Sequence, residues 1–216
     1  MTRQGDAGFR RGSATKTIGV LISGRGSNLQ VLIDASRRGE LGGGRIGIVF
    51  SNVEDAPGLE RARRAAIPVA FRDHRGRSRE AFDAEVVAVL HAHAVELVCL
   101  AGYMRLLSTA FVRAFPGRIL NVHPALLPAF PGLHAQRQAL EHGVKVSGAS
   151  VHLVDEQLDA GPILAQEAVP VLARDTEATL SARILEAEHR IYPRAVRAML
   201  EGRVSVSGRR VIVEGD

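Results

Sequence analysis

An amide and an imidazole stand two residues apart, at Asn121 and His123, in the run Asn121-Val122-His123-Pro124-Ala125-Leu126-Leu127-Pro128. Residues two apart on an extended chain point the same way, so both side chains can face one cleft. Pro124 and Pro128 stiffen the turn that follows. A carboxylate comes later, at Asp159, within Leu158-Asp159-Ala160-Gly161. Two readings fit it: an aspartate capping its own turn, or a partner for His123. An opposing carboxylate raises a histidine pKa, often by about 1–3 units, and would keep an imidazolium next to a carboxamide donor. Donors so placed serve a developing oxyanion.

A third element is the turn Ser23-Gly24-Arg25-Gly26-Ser27-Asn28, set between a strand pattern and a helix pattern. Glycines there let backbone N–H groups approach an anion at a helix start. Ser27 and Asn28 equally suit a helix N-cap. The turn lacks the third glycine of a dinucleotide fingerprint and the lysine of a P-loop, so a single phosphate fits it better. His74, His91, His93 and His142 read as satisfied structural histidines. His91 and His93 diverge on a helix, which argues against a metal pair. The single cysteine, Cys99, sits in an apolar run. That placement implies a buried inert thiol and fits a reducing cytoplasm without a disulfide framework.

These groups need a scaffold, and the pattern supplies one. Short apolar runs at 18–22, 46–50, 68–71, 97–101 and 118–122 alternate with helical patterns at 28–38, 56–66, 78–92 and 108–115. That alternation marks an α/β fold: an open, mostly parallel twisted sheet with helices on both faces. Asn121 and His123 then follow the fifth strand, at the edge where such sheets bind ligands. The pattern changes afterwards to antiparallel C-terminal strands. Segment 147–154 alternates Ala149, Val151 and Leu153 against Ser150 and His152, and 163–169 is its expected partner. A long helix at 176–200 places Leu180, Ile184, Ala187 and Ile191 on one face, with Pro193 expected to kink it. A hairpin at 204–213 closes the chain, turned at Ser207-Gly208.

The bulk numbers agree. At 216 residues, with 46% hydrophobic and 24% charged residues, a single domain over 17–216 is expected. Arg3, Arg10, Arg11 and Lys16 against Asp6 give residues 1–16 a charge of +3, leaving +2 of the total +5 for the rest. That head reads as a flexible extension, and the charge placement argues against nucleic acid as a partner. No run has the length of a membrane span, and no signal peptide pattern opens the chain.

From about Ile18 to about Gly202 the chain resembles the phosphoribosylglycinamide formyltransferases. The resemblance is carried by the Asn121–Pro128 run, the Gly26-Ser27-Asn28 turn and the Leu158–Gly161 segment. It implies a Rossmann-like formyltransferase fold, acting as monomer or homodimer, in purine synthesis. It further implies 10-formyltetrahydrofolate as co-substrate, with no metal. The resemblance assigns Asn121, His123 and Asp159 to catalysis: the glycinamide amine attacks the formyl carbon, Asn121 and the His123 imidazolium hold the oxyanion, and Asp159 supports His123 and the proton relay. It assigns Gly26, Ser27, Asn28 and Glu188 to the glycinamide ribonucleotide. It assigns Arg79, Met104, Arg105, Leu106, Leu107, Asn121, His152, Asp155, Glu156, Gln157, Leu158 and Asp159 to the folate. Read without the resemblance, Arg79 and Glu188 would be solvent-facing helix residues, and 104–107 would be core packing with one surface arginine. Ala125 stands where relatives often have serine, and Ala160 where they often have glycine. Arg25 stands at a position where relatives often carry a small or polar residue.

Relatives offer rival readings. Methionyl-tRNA formyltransferases carry a similar run with a C-terminal RNA-binding domain, for which this length leaves no room. Formyltetrahydrofolate deformylases carry a regulatory domain ahead of the core, where only a short polar head is expected here. A non-catalytic nucleotide-binding module would have no use for the Asn–His–Asp set.

Overall fold

The computed structural model describes residues 15–215, so most of the expected extension lies outside the described residues. Lys16 packs onto the fold: its carbonyl accepts from the Arg45 N–H, and its amine donates to the Leu200 carbonyl.

The elements in chain order are β1 (Thr17–Ile22), α1 (Ser27–Arg37), β2 (Arg45–Ser51), α2 (Pro57–Arg64), β3 (Val69–Phe71), α3 (Arg79–Ala92), β4 (Leu97–Leu100) and α4 (Thr109–Ala114). They continue as β5 (Ile119–His123), α5 (Ala135–Glu141), β6 (Val146–Leu153), β7 (Ile163–Pro170), α6 (Glu177–Leu200), β8 (Val204–Ser207) and β9 (Arg210–Val213). Seven strands form one sheet in the order β3-β2-β1-β4-β5-β6-β7, and β8-β9 form a separate hairpin. The first five strands are parallel, while β6 and β7 run antiparallel to their neighbours. The order reverses between β1 and β4, the kind of switch point beside which open sheets of this type leave a ligand crevice.

The period-2 alternation of each strand divides the core between two faces. Ile18, Val20 and Ile22 of β1, Leu97 and Cys99 of β4, and Leu120 and Val122 of β5 pack with α1, α2 and α6. Leu21, Val98, Leu100 and Ile119 pack with Phe82, Val86 and Leu90 of α3 and Phe111 of α4. The alternation therefore aims Asn121 and His123 to the α3/α4 face, as successors of Ile119. On β6, Ala149, Val151 and Leu153 pack on the first face, which turns Ser150 and His152 to the second.

Helix α6 holds the first face. Leu180, Ile184, Ala187, Ile191, Val196 and Met199 are buried along it, each large apolar side chain contributing about 1.5–3 kcal/mol. Tyr192 is fully buried, and its hydroxyl lies 2.9 Å from the Leu100 carbonyl and 3.3 Å from that of Leu120. These contacts secure the helix to β4 and β5. The helix runs from Glu177 to Leu200 with Pro193 inside it. Burial on both sides of the proline outweighs the lost backbone bond.

Three expectations change. Asn121 and His123 lie inside β5, not after it, because β6 pairs with the strand through His123. The N-cap of α1 is Gly26, with φ 70° and no side-chain cap, so neither Ser27 nor Asn28 fills that role. Helix α5 was not anticipated. It is seven residues long and buries only Ala135 and Ala139 one turn apart, so its periodicity leaves little hydrophobic signal.

Candidate active site

The antiparallel register of β5 and β6 sets Asn121 opposite His152 and His123 opposite Ser150. Four polar side chains thus share one patch of the sheet. Asn121 Nδ2 lies 3.2 Å from His152 Nε2, and His152 Nδ1 lies 2.9 Å from the Leu153 carbonyl. A carbonyl only accepts, so Nδ1 donates there, and Nε2 is left facing the Asn121 amide and Asp159. The second amide hydrogen remains for a ligand.

His123 is 4% exposed. Its Nε2 donates to the Phe130 carbonyl at 2.8 Å, and its Nδ1 lies 3.4 Å from Asp159 Oδ2. The other Asp159 oxygen is 3.6 Å from His152 Nε2, and the Gly132 N–H donates to Oδ2 at 2.8 Å. Asp159 therefore meets both histidines from a turn on which it adopts φ 48°. Two residues on, a Cβ at Gly161 would stand 1.8 Å from the Leu153 carbonyl oxygen. Only glycine lets the turn come that close.

The carboxylate alone suggested a raised pKa for His123. Burial is the larger influence and carries the imidazole below its ordinary value, with Asp159 and the Phe130 carbonyl opposing. Burial pushes Asp159 up, but bonds from His152 and Gly132 and the nearby His123 charge bring it below the ordinary carboxylate value.

Residues that sequence reasoning had not singled out hold the turn after β5. Ser150 Oγ donates to the Ala125 carbonyl at 2.7 Å and accepts from the Leu127 N–H at 3.0 Å. Gln166 Nε2, from β7, reaches the Leu127 carbonyl and Ser150 Oγ, both at 2.9 Å. The alternation that put Ser150 on the face of His152 was the available signal. Nothing local marks Gln166.

The glycine-rich turn lies against α2. A Cβ at Gly26 would stand 2.7 Å from Gly58 Cα, and the Gly58 N–H donates to the Gly24 carbonyl at 3.0 Å. Arg25 is exposed. Asn28 points inward instead, and its Nδ2 donates to Glu188 Oε2 at 2.6 Å. Glu188, at 7% exposure, is buried on α6, contrary to the solvent-facing alternative. Burial pushes its carboxyl up to about 7, with the Asn28 bond pulling the other way. Asn28 Oδ1 is buried and without a partner.

A third part of the site is an open cavity of about 470 Å³ lined by Arg79, Glu80, Met104, Arg105 and Leu106. Met104 and Leu106 are 64% and 54% exposed, not core packing. Leu107 is partly buried against the second core cluster. The Met104 N–H donates to Ser23 Oγ at 2.8 Å, so this segment touches the glycine-rich turn. Of the loop 155–158, Asp155 caps the Gln157 N–H at 2.9 Å, Glu156 pairs with Arg113 at 3.1 Å, and Leu158 lies beside Gly132. A larger cavity of about 810 Å³, between β7, α6 and β9, holds none of the candidate site residues named from the sequence.

Four further histidines have structural partners. His74 meets Asn52, His93 the Val89 carbonyl and His142 the Gln138 carbonyl, while His91 stacks on Phe115. Cys99 is fully buried, and burial pushes its thiol up to about 12. Among the described residues no group of three His, Cys, Asp or Glu side chains is arranged to hold a metal ion, and no helix is long and apolar enough to cross a membrane.

A mostly parallel sheet with an Asn–His–Asp cluster at the β5–β6 junction defines the class. Residues 16–196 match the Formyl transferase family, and the chain belongs to it. It is 46% identical over 202 residues to the phosphoribosylglycinamide formyltransferase of Escherichia coli, covering 91% of this chain and 92% of that protein. It is 50% identical over 194 residues to the trifunctional purine biosynthetic protein adenosine-3 of Drosophila melanogaster, covering 89% of this chain but 14% of that protein. Among solved structures, glycinamide ribonucleotide transformylase 1 of Symbiobacterium toebii superposes with a TM-score of 0.91 at 53% identity, covering 95% of this chain and 99% of that one.

Proposed function

We propose that the chain transfers the formyl group of 10-formyltetrahydrofolate to the amine of 5-phosphoribosylglycinamide, giving formylglycinamide ribonucleotide and tetrahydrofolate in the cytoplasm. The observation that carries this reading is the convergence of Asn121, His123, His152 and Asp159 on one sheet face. The full-length likeness to the Escherichia coli enzyme supports it.

Each part has a chemical task. The first N–H groups of α1, opened by Gly26, suit the ribonucleotide phosphate. Glu188 and the unpartnered Asn28 Oδ1 are acceptors suited to hydroxyl or amine donors of the same substrate. The cavity beside Met104 and Leu106 offers apolar contact for a flat ring system, and Arg79 at its rim suits a carboxylate tail. The neutral amine attacks the formyl carbon, and the resulting oxyanion accepts the free Asn121 amide hydrogen. The attacking nitrogen must lose a proton, and the folate nitrogen must gain one to leave. His123 Nδ1 serves as the relay. Its protonated ring has an acceptor at each nitrogen, Phe130 on one side and Asp159 on the other. While charged, it sets a positive charge beside the oxyanion.

A spectrophotometric assay tests the reading. With both substrates present, deformylated folate should appear; release of that product without the ribonucleotide would mark a deformylase instead.

A further inference from the structure

We infer that Asp83, buried on α3, is a positioning residue for the segment 103–108 and so sets affinity for the formyl donor. The inference rests on the assignment of that segment to folate under Proposed function. Asp83 is 1% exposed, an unusual place for a carboxylate. Its Oδ2 accepts the Ser108 backbone N–H at 2.6 Å, and Ser108 Oγ in turn accepts the Phe111 N–H at 3.3 Å to cap α4. The segment is thereby fixed at its far end to α3, while Met104 fixes its near end to Ser23.

Between these two ties the side chains alternate. Tyr103 is buried, Met104 exposed, Arg105 half-buried, Leu106 exposed and Leu107 half-buried. The Arg105 guanidinium lies over the Phe82 ring at 4.7 Å. Burial pushes the Tyr103 hydroxyl above its ordinary pKa, with the Asp83 charge adding to the shift. Asp83 Oδ1, the Tyr103 hydroxyl and Arg105 Nε are all buried without partners. One acceptor and two donors thus collect beneath the segment in the register that turns Tyr103 and Arg105 inward. That register leaves Met104 and Leu106 to line the cavity with Arg79. A slip by one residue would reverse which side chains face it.

The test compares Asp83→Asn with the parent enzyme. Asparagine keeps the shape and one acceptor but removes the charge behind a short bond. We expect KM for 10-formyltetrahydrofolate and Kd for tetrahydrofolate, by titration calorimetry, to rise about tenfold. Turnover at saturation and KM for glycinamide ribonucleotide should stay within about twofold. Hydrogen exchange should accelerate at 103–108 and not in β4. Ser108→Pro approaches the bond from its donor side, since φ −72° at Ser108 suits proline. Against a Ser108→Ala control, which loses the same side-chain cap but keeps the N–H, it should show the same selective loss. Unchanged folate affinity, or equal weakening of both substrates, overturns the inference. A parent enzyme that does not bind tetrahydrofolate overturns the folate assignment itself. The exchange measurement, which needs no ligand, still reports whether Asp83 holds the segment.

Discussion

Replacing Glu188 by glutamine should remove a pH dependence from the stability of this protein. The carboxyl is 7% exposed, meets Asn28 Nδ2 at 2.6 Å, and titrates near 7 in place of 4.5. The folded state therefore binds a proton more tightly than the unfolded chain. A raised carboxyl pKa contributes stability that is fully present below about pH 4.5 and is lost as pH rises through about 7. A displacement from 4.5 to about 7, at about 1.4 kcal/mol per unit, corresponds to about 3 kcal/mol. Glutamine does not titrate, and its amide can donate to Asn28 Oδ1, which lacks a partner. Urea unfolding of both proteins between pH 4.5 and pH 8 gives the comparison. Across that range the variant should gain about 3 kcal/mol relative to the parent, or about 6–12 °C in relative Tm for a chain of this size. Other titrating groups act on both proteins and cancel in the difference. Parallel stability curves would refute the buried, proton-holding state of Glu188.

His123→Ala should lower turnover by about 10²–10⁴, as loss of an acid–base group does, in a protein that still melts cooperatively; near-normal turnover would remove His123 from the chemistry. Asp159→Asn takes away a charge that favours the imidazolium, so His123 should titrate at lower pH in an NMR titration of the imidazole. A midpoint that stays or rises would contradict their contact. Gly161→Ala places a Cβ 1.8 Å from the Leu153 carbonyl oxygen and should destabilise the fold by about 1–3 kcal/mol in urea unfolding. An unchanged midpoint would show that the turn can move away at no cost.

Much of the fold was legible in residue order because each βα unit buries its own apolar face. The runs at 18–22 and 97–101 became strands on that ground, and the 3.6-residue spacing of Leu180, Ile184, Ala187 and Ile191 became the buried stripe of α6. Short elements were not legible. Helix α5 has two buried alanines, too little apolar contrast to rise above the surrounding loop. In the candidate site, the two-residue spacing of Asn121 and His123 already required a shared face. The matching parity of Ser150 and His152 required the same of β6.

Local order thus determined which residue types were present, which strand faces they occupied and which turns demanded glycine, since these follow from backbone geometry over a few residues. Only the tertiary structure decided that Asp159 reaches both His123 and His152, that Asn28 and Glu188 meet across 160 positions, and that burial outweighs the carboxylate in setting the His123 proton. Those outcomes depend on desolvation and on contacts between distant segments. Both come into being only when the sheet and α6 close over one another.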